Sequence, residues 1–94
     1  MTENKYEKIS QKVKIKNALG LHARPATVIA KLLQGSRSTV SFTYRKETVN
    51  ARSIMSVLML AATKNSQILI DVEGEDAREV LDKLVSAFEN KFGE

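Results

Sequence analysis

The chain has one histidine, His22, and it stands in the run Gly20-Leu21-His22-Ala23-Arg24-Pro25-Ala26. After it, Ala26, Ile29, Ala30 and Leu33 fall at i, i+3, i+4 and i+7, one face of a helix. Pro25 suits the first turn, where its missing N–H leaves no bond unmade. Gly35 suits the C-terminal stop. His22 is therefore expected at the N-cap, with its ring beside the free N–H groups of Ala23 and Arg24. Such a terminus attracts anions, phosphate included. It also disfavours a positive imidazole, and a neutral ring keeps a lone pair that can act as a nucleophile. Arg24 adds a guanidinium for phosphate oxygens. Gly20 lets the backbone come close to whatever binds. The chemistry these residues could do is to hold a phosphoryl group on a histidine. The plainer reading of His22, taken without further context, is a surface residue capping a helix.

Other chemistries lack their parts. The chain has no Cys, no second His and no glycine-rich nucleotide loop, and no Ser–His–Asp arrangement stands out. Disulfides, thiolate chemistry and multi-histidine metal sites are excluded. No cofactor or metal is expected.

Ser53 precedes a segment, Ile54 to Ala62, that is apolar apart from Ser56. Ser53 reads as an N-cap. The following helix, 54–62, has more apolar residues than one buried stripe needs. Val57, Leu60 and Ala61 form an inward face, leaving Ile54, Met55 and Leu58 partly outward. An exposed apolar patch of this kind marks a partner site, and Met suits several partners.

The elements that must position these groups can be read in order. Lys12 to Lys16 alternates, with Val13 and Ile15 on the core side of a strand. Val40, Phe42 and Tyr44 share a face in a second strand. Arg45-Lys46 turns it into a third, Glu47 to Asn50. Gln67 to Glu73 alternates with Ile68, Ile70 and Val72 inward. A last helix carries Ala77, Val80, Leu81, Leu84 and Phe88 as a stripe. The order is strand, helix, strand, strand, helix, strand, helix. It suits an α+β domain, a mainly antiparallel sheet with one wet face and helices on the other.

With 94 residues, 43% of them hydrophobic and 28% charged, the chain is one globular domain. Residues 1–10 show no period and read as a loose N-terminal extension, with the domain spanning 11–92. The polar start lacks the apolar stretch of a signal peptide. The longest apolar run, Val57 to Ala62, is far below a membrane span. A cytoplasmic protein without membrane insertion is expected. Residues 1–70 carry 12 basic and 3 acidic side chains, against 3 and 8 in residues 71–94. The basic body raises nucleic acid or an acidic protein as partner. Nucleic acid is disfavoured because Phe42 and Tyr44 share a face with Val40, as core residues do, and leave no stacking platform.

Gly20 to Ala26 resembles the active-site motif of HPr, the histidine phosphocarrier family of the phosphoenolpyruvate-dependent sugar phosphotransferase system. The likeness continues through Lys46 to Asn50 and Ser53-Ile54-Met55 with Val57. It implies that His22 accepts phosphate on Nδ1 from enzyme I and passes it to the IIA domains of sugar permeases. It implies that Arg24 stabilises the phosphohistidine, and that Ser53 is the regulatory serine of HPr kinase/phosphorylase. Such a protein is a substrate of other enzymes, not an enzyme. The fold implied is an open-faced sandwich of four strands in order 1-4-2-3 with three helices on one face. A monomer is expected, since a carrier docks briefly with several partners. The alternative is an HPr-like regulatory protein of a nitrogen or carbon-catabolite branch, acting mainly by binding partners. Two loops depart from common HPr sequences. Arg45-Lys46 stands where Asn-Gly is frequent, which predicts a different turn or a longer loop. Asn65 stands where glycine is frequent, and is the next-best residue for a left-handed backbone.

Overall fold

The computed structural model describes residues 6–94. Its elements are β1 (Lys8–Lys14), α1 (Ala23–Leu33), β2 (Ser38–Tyr44), β3 (Glu47–Asn50), α2 (Ile54–Met59), β4 (Gln67–Gly74) and α3 (Ala77–Glu89), followed by a 3-10 turn at Lys91–Gly93. The four strands form one antiparallel sheet in the order β1-β4-β2-β3. The element order and the sheet order agree with the open-faced sandwich expected above.

Alternation sets which face of the sheet is covered. Ile68, Ile70 and Val72 of the central strand β4 are fully buried, as are Val40 and Phe42 of β2. A side chain of this size contributes ~1.5–3 kcal/mol when fully buried. Against them lie Ala26, Ile29 and Leu33 of α1 and Ala77, Val80, Leu81, Leu84 and Phe88 of α3. Phe88 joins the layers, edge-to-face with Phe42 at 5.8 Å and with Phe92 at 4.8 Å between ring centroids. The other face is wet. There Lys8 opposes Glu73 and Ser10 opposes Asp71, to which its hydroxyl donates.

Two expectations need correction. The first strand begins at Lys8, so residues 8–10 are sheet and not extension; Met1 to Lys5 lie outside the described residues. Ile9 packs against the core, but Gln11 takes a core-side position of the alternation and stays exposed, which hid the strand's start. The chain is also part of the fold beyond residue 92, because Glu94 is bonded into the site described below. The β2–β3 connection is a different turn, as expected, and not a longer loop: Tyr44 pairs with Glu47, and of the two turn residues only Arg45 has positive φ, where type I′ needs both. Arg45 takes its positive φ of 58°, and its guanidinium lies 5.2 Å from the centroid of the Tyr44 ring. Asn65 adopts the left-handed backbone expected of it, with φ 72°.

Candidate functional site

His22 is the N-cap of α1, with extended φ and ψ of −87° and −165°. Its carbonyl accepts the N–H of Ala26 at 3.1 Å, while its ring makes no capping bond. The amides of Ala23 and Arg24 at the start of the helix are therefore not used up by the ring. No acidic residue stands in the first turn. The approach to His22 is fixed by Gly20. Its φ is +67°, and a Cβ there would lie 2.2 Å from the carbonyl oxygen of Ala62. Leu21 N–H then donates to that same oxygen at 3.0 Å. The histidine loop is in this way pinned to the segment that follows α2.

The ring is held from one side. Nε2 of His22 lies 2.9 and 3.1 Å from the two carboxylate oxygens of Glu94. Asn17, only 2% exposed, directs its Nδ2 to the same carboxylate at 2.6 Å and to the Lys91 carbonyl at 2.7 Å. Two acceptors facing one nitrogen fix the orientation of that amide. Burial is the largest single influence on the Glu94 carboxyl and pushes its pKa up. The hydrogen bonds from Asn17 and His22 and the charges of His22 and Arg24 outweigh it, and the net direction is downward. Glu94 is thus an anion near neutral pH and accepts from Nε2–H of the His22 ring. In the neutral form of the ring this arrangement leaves the lone pair on Nδ1.

The carboxylate arrives on a strained turn. Lys91, Phe92 and Gly93 have φ of 55°, 54° and 81°. Left-handed backbone costs a non-glycine residue about 1–2 kcal/mol. Buried Phe92, packed on Phe88, and the Asn17 bond to Lys91 hold it in place. Strain of this kind collects at functional sites. Arg24 is exposed one residue beyond Ala23 and forms no ion pair among the described residues, so its guanidinium is open to an anion at the helix terminus.

Ser53 is the N-cap of α2, and its Oγ accepts the N–H of Ser56 at 3.1 Å. Val57 and Leu60 are buried as expected, and Ile54 and Met55 are 39% and 68% exposed. Leu58 is half-buried. Ala61 is a correction: it is exposed, and Ala62 is the buried residue. The reason is that α2 ends at Met59 and Ala61 has φ 52°, so helical periodicity fails there. Four groups were missed by pattern. Asn17 and Glu94 meet across most of the chain, with no local signal for either. Met59 is 77% exposed on α2, and Leu19 is 76% exposed on the histidine loop. Both could have been found, since each is a large apolar residue away from a buried stripe.

A family model described as the HPr component phosphorylation site of the phosphotransferase system matches residues 9–90. The phosphocarrier protein HPr of Chlamydia pneumoniae is 42% identical over 93 residues, 99% of this chain and 86% of that relative. The chain belongs to the HPr family. The phosphocarrier protein NPr of Proteus mirabilis is 36% identical over 85 residues, 89% of this chain and 94% of that protein. The crystal structure of HPr-C-His from Thermoanaerobacter tengcongensis matches with a TM-score of 0.87 at 34% identity, covering 92% of this chain and 97% of that one. This HPr-family chain is accordingly a phosphocarrier of the phosphotransferase system by kinship. No helix among its described residues is long and apolar enough to cross a membrane.

Proposed function

We propose that His22 is the residue that carries the phosphoryl group, on Nδ1. The observation behind this is the unequal treatment of the two ring nitrogens: Glu94 occupies Nε2, while Nδ1 is left free beside a helix N-terminus. In acceptance, the Nδ1 lone pair attacks phosphorus and forms the N–P bond. The bond from phosphorus to the donor breaks, and its electron pair leaves with the donor. The ring, now carrying positive charge and still bearing Nε2–H, is stabilised by the Glu94 carboxylate. The phosphoryl oxygens face the Ala23 and Arg24 amides and the Arg24 guanidinium. Donation to the next protein runs the same steps in reverse.

The donor in this reading is phospho-enzyme I, and the acceptors are IIA domains of sugar permeases, met in the cytoplasm by a monomer. The chain itself is a substrate and not an enzyme. Ile54, Met55 and Leu58 form the docking patch, extended by Met59 and Leu19. Ser53 is the regulatory position for HPr kinase/phosphorylase. A regulatory, nitrogen-branch role is the second reading, supported by the likeness to NPr. The acceptor chemistry at His22 is the same in both.

The test is intact mass after incubation with phosphoenolpyruvate and purified enzyme I. One phosphoryl adduct is expected on the wild type and none on His22→Ala. The adduct should be labile in acid and stable in base. An adduct that survives in His22→Ala would place the phosphoryl group elsewhere.

A further inference from the structure

The redox chemistry available to this chain is narrow. There is no Cys and no Trp, and sulfur is confined to three methionines. Met1 lies outside the described residues. The other two, Met55 and Met59, stand one turn apart on α2, four residues from each other, where side chains are neighbours on the helix surface. They are 68% and 77% exposed, while Val57 and Leu60 of the same segment are buried. Most of the large exposed apolar side chains among the described residues belong to α2 or to the histidine loop: Ile54, Met55, Met59 and Leu19, with only Tyr6 elsewhere. The two described thioethers therefore stand among the exposed apolar side chains of α2, whose following segment is bonded to the histidine loop through Leu21 and Ala62.

We propose that Met55 and Met59 form a sulfoxidation site through which hydrogen peroxide weakens docking of phospho-enzyme I at this face. The proposal rests on the phosphocarrier reading above. A sulfur lone pair attacks one peroxide oxygen. The S–O bond forms, the O–O bond breaks, and the departing oxygen takes a proton and leaves as water. Sulfur loses two electrons and the peroxide gains them. A thiol-dependent methionine sulfoxide reductase reverses the change, one oxygen at a time.

The consequences differ for fold and for docking. Neither thioether belongs to the buried core, so a sulfoxide at either place remains in water and costs the fold little. On docking against an apolar partner surface, the same S=O dipole would leave water without gaining a donor, which is unfavourable. Ile54 and Leu58 have no oxidisable atom, so the effect belongs to the two sulfurs alone.

The test uses the full chain treated with dilute hydrogen peroxide, followed by peptide mass mapping and by phosphoryl transfer from phospho-enzyme I. The expected result is one added oxygen each at Met55 and Met59, with the thermal melt unchanged. The KM for the oxidised carrier should rise about tenfold, the ratio that ~1.4 kcal/mol produces, with kcat kept. Sulfoxide reductase should restore it. The Met55→Leu/Met59→Leu double variant, whatever its own starting KM, should show no change in that KM on peroxide treatment, although it keeps Met1. An unchanged KM after complete oxidation of both residues overturns the proposal while leaving the carrier reading intact. So does an equal loss in the double variant, which moves the damage elsewhere. A wild type that accepts no phosphoryl before any treatment overturns both.

Discussion

Two nitrogens of one ring are treated differently in this molecule, and the difference comes from residues far away in sequence. Glu94 and Asn17 fix Nε2 as the donor, so Nδ1 is available without any general base. Asp76 shows the same economy in a structural role. It stands at the N-cap of α3 but makes no capping bond. Instead it accepts from the Ser38 hydroxyl and, at 3.0 Å, from the Arg37 N–H. The Ser38 bond, then the Arg37 bond, lower its pKa against the opposing effect of burial. With the folded pKa below the unfolded one, the unfolded chain binds more protons in acid. The stability Asp76 contributes is thus present above the ordinary carboxylate pKa and is lost as pH falls through the lowered one. Thermal melts between about pH 5 and 2 should fall less steeply for Asp76→Asn than for the wild type. Identical slopes would mean that Asp76 ionises alike in both states.

At the scale of elements, short connections decide where the site is placed. Gly20 has both a positive φ and no room for a side chain, so the histidine loop requires it. Ala61 has a positive φ of 52° without being glycine. Ala61→Gly should therefore stabilise the fold by about 1 kcal/mol, measured as a shift in the denaturation midpoint. A destabilised variant would show that the methyl group contributes more than its backbone costs. The same two loops show what could be read in the chain. Gly20, Pro25 and Gly35 bracket α1, and the stripes of α1 and α3 and the alternation of β4 are plain. The end of α2 was not legible, because Ala61 carries no breaker signal inside an apolar run. The start of β1 was obscured by Gln11 at a core-side position. His22, Arg24 and Ser53 could be singled out from local pattern and motif. Asn17 and Glu94 could not, since they meet only once Phe92 has docked on Phe88 and turned the chain back to the site.

Over the whole molecule, most of the core and most of the exposed apolar side chains lie on different elements. The sheet and the helices α1 and α3 supply the buried layer. The short α2 and the histidine loop carry most of the large exposed apolar side chains. Arg52 ties these regions together: its guanidinium donates to the carbonyls of Leu33, Ser36 and Ser38 at 2.7, 2.9 and 2.9 Å, binding the start of α2 to the end of α1. Ser53 next to it already serves as a cap, and a carboxylate caps as well as a hydroxyl. Ser53→Asp should keep the thermal midpoint of the wild type while slowing transfer from enzyme I. A large loss of stability would show that a negative charge at Ser53 acts on the fold and not on the partner.

The central claim is that the phosphoryl group joins Nδ1 because Nε2 is held. It is tested most directly by long-range ¹H–¹⁵N correlation of the His22 ring, before and after phosphorylation by phosphoenolpyruvate and enzyme I. The account predicts a proton on Nε2 and a bare Nδ1 in the neutral ring of the free protein, then phosphorus on Nδ1 with the Nε2 proton retained. A free ring protonated on Nδ1 alone, or phosphorus found on Nε2, would contradict it.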